Sequence, residues 1–152
     1  MSELYESDIV AWAEQQAYAL RRRAANEIDW DNVAEEIESL ARSDRRELGN
    51  RLAVICEHLL KWAYQPERRS GSWRGSVVEA RDQIAKLVQE SPSLRDYPAA
   101  ALAEAYPPGR RKAEAEASLV GLPESCPWTI DQVLDHAFWP PPDERPHPQE
   151  PG

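Results

Sequence analysis

Between Val33 and Ala63 the apolar residues return every three or four positions: Val33, Ile37, Leu40, Ala41, Leu48, Leu52, Ile55, Cys56, Leu59, Leu60, Trp62 and Ala63. That spacing puts them on one stripe of an α-helix. No proline interrupts the run until Pro66, which stops it. Asp29 starts the segment, and Asp31, Glu35 and Glu36 load its first turns with acid, where the helix dipole favours negative charge. The pattern predicts one helix of about 34 residues, roughly 50 Å long at 1.5 Å per residue. Its weak point is Gly49–Asn50, since glycine costs about 1 kcal/mol against alanine inside a helix. Leu48 and Leu52 hold one stripe across that point, so a kink fits there better than a break. A stripe this long has to be covered by other elements, and that requirement sets the fold.

The neighbours also read as helices. Ser7 is a candidate N-cap, with Asp8 in the first turn, followed by Ile9, Trp12, Ala13, Gln16, Ala17 and Leu20 at helical spacing. Arg21, Arg22 and Arg23 suit a helix C-terminus, so a first helix is expected over about 8–24. Ser70-Gly71-Ser72 reads as a turn with Ser72 as cap, opening a third helix from Trp73 to about Glu90. A fourth is expected over about 98–118, with a break near Tyr106 because "YPPG" contains two prolines and a glycine. Thr129-x-x-Gln132 is a capping-box pattern opening a short last helix to about His136. Prolines crowd the chain from Pro140 onward, which predicts a disordered tail. No strand pattern and no repeat is visible. The expected fold is all-α, an antiparallel helical bundle built on the long second helix. One domain over 1–139 and a Pro-rich tail over 140–152 are expected.

Charge narrows the functional classes. The 152-residue chain carries a net −9, divided as −7 over residues 1–41, +4 over 42–81 and −6 over 82–152. So acidic a chain does not attract nucleic acid through its overall field. A local patch of Arg42, Arg45, Arg46, Arg51, Arg68, Arg69 and Arg74 could touch phosphates, but helical spacing disperses these side chains and no phosphate loop or helix-turn-helix signature accompanies them. Arg–Glu pairing inside the bundle is the preferred use of that charge, and nucleic acid is not an expected partner. No apolar run approaches the roughly 18 residues that span a bilayer. The start lacks the basic and apolar regions of a signal peptide. Two cysteines, Cys56 and Cys126, offer no disulfide framework, and a reduced cytoplasmic protein is expected.

The stretches "YESDIVAWAEQQAYALR", "IDWDNVAEEIESLARSDRREL", "HLLKWAYQPERRSGSWR", "PSL" and "ESCPWTIDQVLDHAFWP" follow one another in a specific order. In these the chain resembles the bacterial domain of unknown function 29 family, from about residue 4 to 140. The resemblance implies a compact helical protein and brings no activity, catalytic residue or cofactor with it. The family pattern would carry an unbroken helix past Tyr106, where this chain has "YPPGRR".

The candidate functional residues cluster around the end of the long helix. His58 and Lys61 stand three apart, beside a turn carrying Arg68, Arg69 and Arg74. A single histidine with no second His or Cys nearby is a poor metal ligand set, and no metal or cofactor is expected. Glu36 lies beside Ile37, Leu40 and Ala41, and a partly buried carboxylate needs a partner; Arg74, Arg81 or His58 is the expected source. Trp62, Trp73, Trp128 and Trp139 stand near element ends, where an indole often seals a bundle. "FWP" is expected to dock across the bundle and close the core. Cys126 could be read as a redox thiol, but no resolving cysteine and no nearby cation favour that, and it reads as a small loop residue. The candidate binding set is Glu36, His58, Lys61, Trp62, Trp73 and Arg74, with the catalytic residues unknown. Three functional readings follow. The leading one is a small cytoplasmic helical interaction module, self-associating or binding another protein. The second is an enzyme built around His58, Lys61, Glu36 and Arg74. The third is local nucleic-acid binding through the arginine-rich middle.

Overall fold

The computed structural model describes residues 2–142, and among these every regular element is a helix. The order is α1 (Ser2–Ser7), α2 (Ile9–Arg21), α3 (Trp30–Tyr64), α4 (Gly71–Glu90), α5 (Tyr97–Ala117) and α6 (Ile130–Leu134), with short 3-10 turns at Ala25–Glu27, Pro66–Arg68 and Pro92–Leu94. From residue 143 on, the expected tail lies outside the described residues. The all-α class is as the sequence predicts, and the long helix has 35 residues and runs without interruption through Gly49. No described helix is long and apolar enough to cross a membrane.

Four local expectations change. A short helix, α1, precedes the expected first helix, and Asp8 rather than Ser7 caps α2: its carboxylate accepts from the Ala11 N–H at 3.0 Å. α2 also ends at Arg21 rather than 24. Ser70, not Ser72, caps α4 through the Trp73 N–H at 3.2 Å. The expected break near Tyr106 is absent, since α5 runs through Pro107 and Pro108. Those prolines withdraw hydrogen bonds from the carbonyls of Ala103 and Glu104, both exposed residues that water can reach. The opposite face of α5 buries Ala105, Tyr106, Gly109 and Ala113. That burial is what outweighs the local preference to break, and the unbroken helix implied by the family resemblance holds. At Thr129 the capping box forms in full.

The chain divides into two compact units, Met1–Ser43 and Asp44–Gly152. In the second unit Leu48, Leu52, Ile55 and Leu59 of α3 pack with Val77, Ala80 and Ile84 of α4, Ala101 and Ala105 of α5, and Val133 of α6. A second cluster joins Cys56, Leu60, Ala63 and Tyr64 to Tyr106, Ala113 and Leu122. Each fully buried leucine or isoleucine in such a core contributes about 1.5–3 kcal/mol of transfer free energy. Gly109 lies against the Ala53 carbonyl, which a Cβ there would meet at 2.5 Å. Glu116 meets Lys61 and the Ala117 carbonyl meets Gln65, so α5 runs alongside α3 in the same direction while α4 returns between them in sequence.

The first unit has a small core of a different kind. It buries Trp12, Gln16, Ala19, Ile28 and Asp29. Polar contacts hold it. The Trp12 indole donates to Asp29 Oδ2 at 3.2 Å, Asn32 Nδ2 donates to the same oxygen at 2.8 Å, and Gln16 Oε1 accepts from the Asp29 N–H at 2.7 Å.

Candidate functional site

Two places bring together side chains that could act: a polar corner at the end of α3 and an apolar groove in the first unit.

The corner follows from having to end α3, turn and cap α4. Lys61 is buried, and its ammonium donates to Glu57 Oε2 at 2.8 Å and to Glu116 Oε2 at 2.5 Å. Glu57 is buried one helical turn before it, at the i,i+4 spacing that places the two on one face. Burial works against the Lys61 charge, but the bonds to Glu116 and Glu57 outweigh it and hold the ammonium above the usual lysine range. Glu116 is held below the usual carboxylate range, first by its bond from Lys61. His58 sits beside the same group, with Nε2 4.0 Å from Glu57 Oε2 and Nδ1 2.9 Å from the Val54 carbonyl.

The aromatic residues of the corner form a ladder. Arg69 stacks over Trp62 with 4.8 Å to the ring centroid, and Trp62 meets Trp139 at 4.6 Å. Arg74 and Arg81 cover Trp139 at 4.9 and 5.3 Å. Lys61 lies 5.7 Å from the Trp73 ring centroid. Arg81 is buried and donates to the carbonyls of Val133 at 2.8 Å, Phe138 at 3.0 Å and Gln132 at 3.4 Å, while Phe138 packs edge-on to Trp128. Burial lowers the Arg81 pKa against the pull of Asp135, from so high a starting value that the guanidinium stays charged. The expected docking of "FWP" across the bundle is thus present.

Of the six candidate binding residues, His58, Lys61, Trp62, Trp73 and Arg74 fall in the second unit and share this corner. Glu36 belongs to the first unit, and its partner is not the expected arginine or histidine. The Tyr5 hydroxyl donates to Glu36 Oε1 at 2.5 Å. That bond, with burial second, pushes the Tyr5 hydroxyl up to about 12. Chemically the corner is a clamp of one ammonium between two carboxylates. Lys61 is held as an ammonium, so it offers no neutral amine for nucleophilic attack. Among the described residues no three His, Cys, Asp or Glu side chains gather into a metal-holding group.

The groove in the first unit is lined by Trp12, Ala13, Gln16, Ala17 and Leu20 from α2 and by Val33, Glu36, Ile37 and Leu40 from α3, and encloses about 280 Å³. Ile37 is 62% exposed and Leu40 69%. Val10 and Trp30 are also exposed in this unit. Among the charges nearby, Arg42 is paired with Glu35 at 2.8 Å and Glu38 at 3.8 Å.

Sequence reasoning missed the roles of four residues. Glu57 was legible as the i,i+4 partner of Lys61. Glu116 and Arg81 act through partners more than 50 positions away, which no local pattern announces. The fourth is Cys56, whose buried cluster Cys126 packs against. The expectation that Cys126 has no second cysteine beside it is therefore wrong: α3 carries one to it from 70 positions earlier in the sequence.

The family model described as Domain of unknown function DUF29 matches residues 4–139. No curated protein and no solved structure matches the chain.

Proposed function

We propose that this chain, which belongs to the family Domain of unknown function DUF29, is a small helical protein-interaction module that works through the apolar groove of its first unit. The carrying observation is the exposure of Ile37 and Leu40 on the same helix that buries Leu48, Leu52, Ile55 and Leu59 completely. A contiguous exposed apolar surface of this kind is the usual mark of a contact site. The groove between α2 and α3 suits one amphipathic helix laid along it, anchored by residues at i, i+3, i+4 and i+7. Charge selects the partner. Residues 1–43 hold 10 acidic and 4 basic side chains, so an apolar stripe flanked by Lys and Arg is favoured over a second copy of the same acidic face. Two free thiols accord with a reducing compartment, and the cytoplasm is the compartment we infer.

The enzyme reading has less support, because Lys61 is spent on two carboxylates and Glu36 on Tyr5. The nucleic-acid reading has less support as well. Arg42 and Arg51 pair with glutamates, and Arg69 and Arg74 lie on indoles.

The test uses two synthetic amphipathic helices with one leucine stripe, one flanked by Lys and one by Glu. Titration is followed by tryptophan fluorescence, and stoichiometry by sedimentation equilibrium. The Lys peptide is expected to bind one per chain, and Ile37→Glu with Leu40→Glu to weaken it at least about tenfold at unchanged Tm. Equal binding of both peptides, or binding untouched by the two substitutions, contradicts the reading.

A further inference from the structure

Cys126 is half-buried on the wall of a cavity of about 330 Å³ that also includes Leu102, Tyr106, Glu124 and Trp128. Cys56, fully buried in α3, belongs to the apolar cluster against which Cys126 packs. Both thiols belong to the packing around Tyr106 and Leu122, and each acts on the other's ionisation. The loop that carries Cys126 is fixed in place. The Tyr106 hydroxyl donates to the Pro123 carbonyl at 2.7 Å, and Cys126 Sγ lies 3.4 Å from the Trp128 carbonyl. Neither sulfur takes part in the polar corner or in the groove. A structural cysteine needs no partner of its own kind, so one thiol on a cavity wall with a second thiol in the cluster it packs against calls for a chemical use.

We propose that Cys126 and Cys56 are a redox-active thiol pair that reacts with low-molecular-weight disulfides, Cys126 attacking from the cavity and Cys56 resolving from the core. The Cys126 thiolate attacks one sulfur of the incoming disulfide RSSR, forms Cys126–S–S–R and expels RS⁻. Cys56 then loses its proton to solvent through the cavity and attacks Cys126 Sγ. The Cys56–Cys126 disulfide forms and the second RS⁻ leaves. Across the two steps the protein thiols lose two electrons and two protons, and RSSR is reduced to two thiols.

The surroundings divide the labour between the two sulfurs. The neighbouring Cys56 thiol favours the thiolate at Cys126 and draws its pKa below the usual thiol range, although burial opposes this. The Cys126 sulfur, with burial added, pushes the Cys56 thiol up, so it waits as a protonated reserve. Once Cys126 is capped, the thiolate that held the Cys56 proton is gone, and one cause of the upward shift goes with it. Closing the pair ties the middle of α3 to the loop before α6 and restricts the unfolded chain over a long loop.

The test needs no variant to fold. The full chain is incubated with oxidised glutathione, trapped with iodoacetamide and weighed intact by mass spectrometry. Both thiols are expected to disappear together, with two hydrogens lost and no glutathione retained. The oxidised chain should melt about 5–10 °C higher, reversibly on adding dithiothreitol. Cys56→Ala, lacking the resolving thiol, should instead keep one glutathionyl group on Cys126. A wild-type chain that keeps glutathione on Cys126, or whose thiols both survive in the folded state, overturns the proposal. So does a Cys126→Ala chain that loses its Cys56 thiol as fast as the wild type loses both.

Discussion

The two stretches of α3 on either side of Ser43 carry one kind of sequence pattern and meet opposite environments. Over Val33–Leu40 the apolar positions recur at helical spacing, yet Ile37 and Leu40 face solvent. Over Leu48–Leu60 the same spacing is sealed by α4 and α5. The polar groups differ in parallel. Lys61 and Glu57 are buried and paired, whereas Arg42 pairs with Glu35 and Glu38 at the surface. Periodicity thus specifies a helix and a preferred face, but whether that face is covered depends on what else the chain supplies. In the second unit the chain supplies the cover. In the first it leaves an open groove, which is why function is sought there.

Single substitutions sharpen the contrast. Leu52→Ala should cost about 3–4 kcal/mol, because a fully buried leucine leaves a cavity that the packed helices fill only in part. Leu40→Ala should stay within about 0.5 kcal/mol in the isolated chain. Urea unfolding of the two variants measures both, and similar losses would erase the distinction between the stretches. Next in size, Lys61→Met should cost about 2–3 kcal/mol, since it leaves the Glu57 carboxylate buried without its cation. Arg42→Ala should change stability by under about 0.5 kcal/mol, as an exposed pair contributes little.

The smallest effect concerns pH. Bonds from the Asn32 side chain, and then from Trp12 and the Asn32 backbone, hold Asp29 below the usual carboxylate range against the opposing effect of burial. A carboxylate whose folded pKa is depressed stabilises the fold above its unfolded value of about 3.9 and loses that contribution as pH falls through the folded one. Acid titration of the near-ultraviolet circular dichroism of Trp12 should therefore show the first unit loosening only below the ordinary carboxylate range. Asn32→Ala removes the largest cause and should move that loss to higher pH. An unchanged acid limb in Asn32→Ala would remove Asp29 from the account.

The long helix, the all-α class, the Thr129 capping box and the docking of Phe138 and Trp139 were legible in the sequence, because each is written in spacing or in side-chain type over a few turns. The course of α5 was misread from local chemistry. Pro107 and Pro108 argue for a break, and the burial of the opposite face of α5, including the fit of Gly109 against an α3 segment more than 50 residues away, overrides them. The same holds for the sites. His58 and Lys61 were picked out as neighbours, but Glu116, Arg81 and the Cys56–Cys126 contact arise from tertiary structure alone. Glu36 takes as partner Tyr5 of α1, a short helix ahead of the expected first one that no apolar spacing announces.

The central claim is that the exposed stretch of α3 is a contact face and the buried stretch is not. Hydrogen exchange of the α3 amides, with and without the Lys-flanked amphipathic peptide, tests it most directly. The account predicts slowed exchange over residues 31–42 on adding the peptide and no change over 48–60. Protection that spreads evenly along α3, or none over 31–42 at saturating peptide, would contradict it.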